Sequence, residues 1–305
     1  MGHSHSHDHH GHHHGHNANK KALLISFILI GTFMFIEFIG GLLTNSLALI
    51  SDAGHMLSDA AALGLSLLAF KIGEKAANSE KTYGYKRFEI LAAFLNGITL
   101  IIISIYIFYE AYHRFLEPPN VSPSMMIIAA IGLIINIFVA WILMKGDTNE
   151  NLNMRSAFLH VLGDLLGSVG ALIAGLLIYF FNWNIADPLA SVLVSLLILI
   201  SGWRVAKDSF HVLMEGKPAN IDIDHVEEHL MALPGVKSIH DLHVWTITSD
   251  FPALSCHLTV RGNADRDELL NQASKLLREH FHLKHTTIQL EGENSKAHEN
   301  CDNCH

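Results

Sequence analysis

Two short stretches of the chain repeat one spacing of polar residues that can bind metal ions. The stretches read SDAGHMLSDA and SAFLHVLGDLLGS, and the shared spacing is S-x3-H-x3-D. Its members are Ser51, His55 and Asp59 in the first stretch and Ser156, His160 and Asp164 in the second. Residues four apart lie on the same face of a helix. Each stretch is therefore expected to present one imidazole and one carboxylate side by side.

The two motifs together supply a ligand set for a divalent cation. If the helices that carry them meet antiparallel, His55 lies level with Asp164 and Asp59 with His160, because four residues rise about 6 Å. Two imidazoles and two carboxylates then converge, and such a set suits tetrahedral zinc and similar divalent ions. The alternative is that these side chains only hydrogen-bond the helices together. Repetition of the motif favours the metal site.

The motifs lie in apolar segments that are long enough to cross a membrane. Apolar residues make up 50% of the chain and charged residues 16%, and the mean hydropathy is +0.29. A helix needs about 20 apolar residues to span the hydrocarbon core. Six segments reach this length, at 22–43, 46–70, 88–112, 124–144, 156–181 and 186–206. An aspartate at mid-bilayer costs roughly 2.5–3.5 kcal/mol, so a pair of them indicates a function.

Lysine and arginine are concentrated in alternate loops. They precede the first apolar segment, fill the loop 71–87, flank the fourth segment and follow the sixth. The loops around 44–45 and 181–187 carry neither residue. Because such positive charge marks the cytoplasmic side, both termini are expected in the cytoplasm of a multi-pass protein of the cell (inner) membrane. The net charge of −9 argues against nucleic acid as a partner.

From about residue 211 the chain is polar and reads as a water-soluble domain of the order αββαβ. Helices are predicted over Asp222–Leu233 and Asp265–His280, and strands over Ser238–Ile247, Ala253–Val260 and Thr286–Glu291. This order predicts a small α+β sandwich of the ferredoxin-like kind. The fold class is therefore an α-helical membrane protein with six transmembrane helices and a C-terminal ferredoxin-like cytoplasmic domain.

Both ends of the chain carry further residues that bind metals. Met1–His16 has nine histidines among sixteen residues, which predicts a disordered metal-binding tail, with an expression tag as the alternative. At the other end Cys301, Cys304 and His305 form C-x-x-C-H, which could complete a metal site with another part of the chain. The predicted divisions are a His-rich tail, a transmembrane transport domain, a cytoplasmic domain and a C-terminal tail, at 1–19, 20–210, 211–292 and 293–305.

The residue types favour transport over catalysis. Catalytic zinc keeps an open position for water, whereas four side chains would close this ligand set. The sequence contains no H-E-x-x-H motif and no G-x4-G-K-[ST] motif for ATP, so a gradient would have to drive transport. Metal binding needs neutral imidazole and ionised carboxylate, so protons compete for the same atoms, which is sufficient for antiport. A membrane metalloenzyme and a metal sensor with a membrane anchor are the alternatives.

Longer motifs resemble those of the cation diffusion facilitators, and the bacterial cadmium–zinc–cobalt efflux members above all. These motifs are SLALISDAGHMLSD, TYGYKRFEILAA, DPLAS, HVLMEGKP, HDLHVWTIT and ALSCHLTV. The resemblance implies a homodimer in the lipid bilayer that exchanges Zn2+, and also Cd2+ and Co2+, for protons and so gives metal tolerance and homeostasis. Family members with histidine at the position of His55 tend to prefer zinc.

The resemblance also implies a metal site in the cytoplasmic domain. The polar strands of this domain offer His240, His243 and His257, and Glu291 lies in the last strand. In the family, residues matching His240, His257 and Glu291 help to bind a metal ion. His285 is close to them in the sequence and could join the site.

Overall fold

The chain forms a helical unit and a smaller α/β unit, which meet in the sequence between Phe210 and His211. The computed structural model describes residues 13–44, 47–116, 123–149, 151–181, 183, 185–249, 251–262 and 264–293. For some residues within the helices only the backbone is described, and His55 is one of them.

The described residues of the first unit form six long helices. Their bounds are α1 His13–Thr44, α2 Leu47–Gly73, α3 Arg87–Leu116, α4 Pro123–Leu143, α5 Leu152–Phe181 and α6 Ala186–Leu213. Each helix contains most or all of one apolar segment of the sequence. Apolar length therefore locates the helices correctly, and their ends differ from the prediction by at most four residues except at the start of α1 and the end of α6.

Helix α1 begins well before the apolar segment that predicts it. The sequence places residues 13–19 in a disordered tail, whereas the structure has them in the first turns of α1. Asn19 is buried, and its Oδ1 accepts a hydrogen bond of 2.8 Å from the backbone N–H of Asp147. Lys20 forms an ion pair of 2.7 Å with Glu74. These contacts join α1 around Asn19 and Lys20 to distant parts of the chain; residues 1–12 lie outside the described part.

An apolar core joins four of the helices, namely α1, α2, α4 and α5. Its fully buried large side chains are Leu23, Ile30, Leu63, Phe70, Leu143 and Met154. The outward faces of the helices are apolar as well: Phe35 in α1 is 61% exposed and Ile102 in α3 is also 61% exposed. A surface of this kind is stable against lipid rather than against water.

Two of the described helical stretches are long and apolar enough to cross a membrane. They are Ala18–Ile36 in α1 and Arg87–His113 in α3, and Ala130–Leu143 in α4 is a shorter apolar stretch. Length and composition thus support membrane spans in part of the bundle. The sequence-based count of six spans stays a prediction.

Helices α3 and α6 approach each other closely at two glycines. A Cβ atom added to Gly97 would lie 2.9 Å from the backbone nitrogen of Ala206, and one added to Gly202 would lie 2.9 Å from Leu100 Cβ and 3.1 Å from the Gly97 carbonyl oxygen. Real side chains do not tolerate such distances to backbone atoms. The two glycines therefore set the separation of α3 and α6, as small residues do in membrane helix pairs.

Gly202→Val is expected to destabilise the helical unit, because the added side chain meets the backbone of α3. Overpacking of this kind typically costs about 1–3 kcal/mol. The yield of detergent-extracted protein and its thermal unfolding temperature measure the effect. The matched control is Gly132→Val in α4, where a Cβ atom has no neighbour within 4 Å among the described residues. Equal stability of the two variants would contradict the close α3–α6 packing.

The second unit has the order αββαβ. Its elements are α7 Ile223–Met231, β1 Val236–Thr248, β2 Phe251–Val260, α8 Arg266–Phe281 and β3 His285–Gly292. Strand β2 lies in the centre of the sheet, antiparallel to β1 and parallel to β3. Asp222 and Asp265 cap the two helices, each accepting from backbone N–H groups of the first turn.

One face of this sheet carries the apolar core and the other carries polar side chains. Leu254, Cys256 and Leu258 alternate along β2 and pack with residues of α7 and α8. Because successive side chains of a strand point to opposite faces, His257 and Thr259 lie on the opposite face. Burial of Cys256 raises the pKa of its thiol to about 12, so this cysteine is part of the core and stays protonated.

Candidate metal centres

Three side chains that can bind a metal ion meet inside the helical unit, and we call them the bundle cluster: Asp59, His160 and Asp164. His160 Nε2 lies 3.1 Å from Asp59 Oδ1. One donor atom from each residue lies within 4.8 Å of the donor atoms of the other two. Asp59 is 2% exposed and His160 is 3% exposed, so the cluster is shielded from the surface of the unit.

The helices position the cluster near the middle of α2. Asp59 lies twelve residues after the start of this helix and fourteen before its end, about 18 and 21 Å along the axis. Helix α5 packs against α2 and places His160 opposite Asp59, which is the pairing that the repeated motif predicts. His55 lies one turn before Asp59 in α2, but its side chain is outside the described part of the structure.

The separation of the donor atoms fits a four-coordinate ion. When zinc binds nitrogen and oxygen ligands at about 2.0–2.1 Å in tetrahedral geometry, neighbouring ligand atoms lie about 3.3 Å from each other. The 3.1 Å between His160 Nε2 and Asp59 Oδ1 is of this size. The same lone pairs can hold a proton instead, because a protonated His160 donates to the Asp59 carboxylate. A metal ion bound at these atoms would therefore compete with the proton.

A second group of ligands lies on the polar face of the sheet, and we call it the sheet cluster: His240, His257 and Glu291. His257 Nδ1 lies 3.1 Å from Glu291 Oε1, and His240 Nε2 lies 3.7 Å from Glu291 Oε2. The two imidazole ring centroids are 5.0 Å apart. Strand register produces the cluster, since His240 pairs directly with His257 across β1 and β2. One donor atom from each residue lies within 4.8 Å of the others.

A β-bulge brings a further histidine and an aspartate to the edge of the sheet cluster. Residues three apart in a regular strand point to opposite faces, but the register shifts between His240 and His243. Asp241 in this bulge has the left-handed φ of 53°. Its Oδ1 lies 2.8 Å from His243 Nε2, and its Oδ2 lies 3.7 Å from His257 Nε2.

The hydrogen bond from His243 lowers the pKa of Asp241 below its usual value, and the neighbouring imidazoles act in the same direction. Asp241 is therefore a carboxylate at neutral pH. A carboxylate behind the second nitrogen of a ligating histidine is a common arrangement in metal sites. The sequence pattern alone did not single out Asp241, because strand alternation would place the residue after His240 on the other face.

Among the remaining predicted ligands that the structure describes, His285 is not brought to either cluster. His285 starts β3 and its ring lies against Phe251, with ring centroids 5.4 Å apart. Six residues separate it from Glu291, which is about 20 Å along a strand. The expectation that His285 joins the site is therefore not supported. Cys301, Cys304 and the histidines of residues 3–12 lie outside the described residues.

Comparison with known proteins decides the family. Residues 23–214 match the family model described as the cation efflux transmembrane domain, and residues 218–293 match the cytoplasmic domain of cation efflux proteins. The chain belongs to the cation efflux family. It is thus a membrane protein that exports divalent cations, and the resemblance to the cation diffusion facilitators is confirmed. The family consists of transporters rather than enzymes.

Relatives of this cation efflux protein match over almost its whole length. The cadmium, cobalt and zinc/H(+)-K(+) antiporter of Bacillus subtilis (strain 168) is 53% identical to this chain. The match covers 100% of this chain and 96% of the length of the antiporter. The zinc transporter ZitB of Escherichia coli (strain K12) is 44% identical over 95% of this chain and 93% of its own. The metal-bound C-terminal domain of the CzcD transporter from Cuprividus metallidurans is 36% identical over 23% of this chain and 99% of its own, with a TM-score of 0.23.

Proposed function

We propose that this cation efflux protein exports zinc, and also cadmium and cobalt, in exchange for protons, and has no enzymatic activity. The bundle cluster carries the proposal: it sets two carboxylates and an imidazole within 4.8 Å of one another inside a helical bundle. Three such ligands are not retained for packing, because buried ionisable groups are costly in a membrane. The relatives named for zinc, cadmium and cobalt transport support the choice of ions.

His55 completes the transport site as a fourth ligand in this proposal. It stands one helical turn from Asp59 on the same face of α2. The set would then be two imidazoles and two carboxylates, whose mixed nitrogen and oxygen atoms suit borderline-soft zinc. Four protein ligands close the shell and leave no open position for a catalytic water, which favours transport over hydrolysis.

Proton coupling follows from the competition at these atoms. On the external, more acidic side, a proton binds His160 or His55 and weakens metal binding. On the cytoplasmic side, zinc displaces that proton from the same nitrogen. The pH gradient thereby drives the ion outward. Metal tolerance and homeostasis would result from this exchange.

The proposed assembly is a homodimer with six transmembrane helices and both termini in the cytoplasm. The alternating positive loops of the sequence support this orientation. The cytoplasmic domain is proposed as ferredoxin-like, which its αββαβ order supports. Its sheet cluster would hold zinc through His240, His257 and Glu291. Cys301 and Cys304 remain candidates for an additional ligand pair.

Flux into proteoliposomes across an imposed pH gradient tests the proposed function. Zinc, cadmium, cobalt and manganese are compared, and proton movement is followed with a pH-sensitive dye in the same vesicles. Zinc uptake with opposite proton movement is expected, and uptake should cease when the gradient is collapsed with an ionophore. Zinc movement independent of the gradient would contradict proton exchange.

His55→Asp is expected to change metal selectivity without abolishing transport. The swap keeps a ligand at the position but makes the set richer in oxygen and more negative. Oxygen ligands lower the preference for zinc relative to ions such as manganese. Competition of zinc with manganese during flux, at two external pH values, measures the change. Selectivity identical to that of the wild type would mean that His55 does not contact the ion.

A further inference from the structure

A layer of buried polar side chains lies two helical turns from the bundle cluster, and we call it the polar layer: Ser66, Asn96 and Asn153. Ser66 follows Asp59 by seven residues in α2, and Asn153 precedes His160 by seven residues in α5. Seven residues rise about 10.5 Å along a helix and return to nearly the same face. The layer therefore lies on the side of the cluster that faces the C-terminal end of α2.

Hydrogen bonds join the polar layer across three helices. Asn96 Nδ2 donates to Ser66 Oγ at 3.2 Å, and Asn153 Nδ2 donates to the Ser66 carbonyl oxygen at 3.0 Å. The exposed fractions are 0% for Ser66, 3% for Asn96 and 1% for Asn153. Because a carbonyl oxygen can only accept a hydrogen bond, the end of the Asn153 amide that contacts the Ser66 carbonyl is its Nδ2 group.

The other side of the Asn153 amide is the unusual feature. Its Oδ1 is buried and has no hydrogen-bond partner among the residues that the structure describes. Leaving a buried acceptor without a partner costs about 1–3 kcal/mol. A side chain that only joined the helices would have both ends of its amide bonded. This oxygen is instead available to a water molecule or to a cation.

The same seven-residue spacing continues to the end of the bundle. Glu89 precedes Asn96 by seven residues in α3, and Gly73 follows Ser66 by seven in α2. A Cβ atom on Gly73 would lie 3.0 Å from Glu89 Oε1, so the glycine makes room for this carboxylate. Glu89 is 3% exposed, and Asn151 Nδ2 lies 3.4 Å from its Oε2. A carboxylate thus stands at the outer end of the series, and neutral oxygens stand between it and the cluster.

We propose that the polar layer is a transit site for the hydrated divalent cation between the α2 C-terminal end of the bundle and the bundle cluster. The proposal rests on the proposed function. Glu89 attracts the cation electrostatically, and Asn153 Oδ1 accepts hydrogen bonds from its water ligands or binds the ion briefly. Neutral amide and hydroxyl oxygens bind a zinc ion more weakly than imidazole and carboxylate, so the ion leaves the layer for the cluster.

Asn153→Leu tests the role of the oxygen, because it keeps the size of the side chain and removes both polar atoms. Zinc flux in proteoliposomes is expected to fall about tenfold or more, as the loss of one oxygen contact in a rate-limiting passage would cause. Zinc is also titrated in detergent, and the binding lost in Asp59→Asn is taken as the contribution of the bundle cluster. The zinc affinity of the cluster in Asn153→Leu should stay near that of the wild type. A wild-type flux would overturn the proposal, as would a parallel loss of affinity.

Two further variants separate transit from folding. Asn153→Ser keeps an oxygen and makes room for a water molecule, so most of the flux should return. Asn136→Leu removes a buried asparagine of α4 that is 9% exposed and should leave the flux unchanged. Equal losses in Asn153→Ser and Asn153→Leu would overturn the proposal. If Asn153→Leu lost proton movement but kept normal zinc binding and uptake, the polar layer would conduct protons instead, and the proposal would be overturned. Absence of zinc flux in the wild type would refute the proposed function instead.

Discussion

Asp59→Asn is expected to abolish zinc transport in proteoliposomes. The substitution keeps the shape of the side chain but removes the charge of the carboxylate that lies 3.1 Å from His160 Nε2. Loss of a residue that hydrogen-bonds a metal ligand typically costs roughly 10–100-fold in metal affinity. The zinc affinity of the bundle cluster should fall by more than this, since the proposed site loses a direct ligand. Flux and titration with zinc in detergent measure the two effects.

The control for Asp59→Asn is Glu110→Gln, which neutralises a half-buried acid of α3 outside the bundle cluster. This variant should transport zinc at nearly the wild-type rate. Both variants should be extracted as folded protein with similar yields, so that a difference in flux reports on the site. Wild-type flux from Asp59→Asn would refute the bundle cluster as the transport site.

His257→Ala is expected to remove one zinc-binding site per chain and leave transport in place. His257 is the central member of the sheet cluster, with Nδ1 facing Glu291 and Nε2 facing Asp241 at 3.1 and 3.7 Å. The bundle cluster and the sheet cluster share no residue and lie in different units. Flux at saturating zinc should therefore persist. Metal content after dialysis and flux in vesicles measure the two quantities.

His285→Ala is the matched control for His257→Ala. It removes a histidine from the same sheet, about 20 Å along the strand from Glu291, and should leave the bound zinc unchanged. If His257→Ala kept the wild-type zinc content, the sheet cluster would not be a metal site. If His285→Ala lost as much zinc as His257→Ala, the site would extend along β3, against the distances seen here.

Several elements were predictable because they depend on local pattern. Apolar runs of about 20 residues located α1 to α6, since such runs form helices in lipid whatever their neighbours. The pairing of Asp59 with His160 followed from a four-residue spacing repeated in two helices. The strands β1 to β3 followed from alternation of polar and apolar residues. The start of α1 at His13 was not predictable, because no apolar run precedes residue 22 and the contacts of Asn19 and Lys20 join distant parts of the chain.

The sequence by itself determined the family, the helical and αββαβ elements, and the types and helical spacing of the candidate ligands. These features depend on residue type and on the periods of helix and strand, which a single segment already contains. Only the tertiary structure decided which other polar residues lie near the two clusters. It separated His285 from Glu291, turned Asp241 toward His257 through a bulge, and stacked Ser66, Asn96 and Asn153 in one layer. The physical reason is that packing and strand register join residues far apart in the chain, and local periodicity contains no information about those distances.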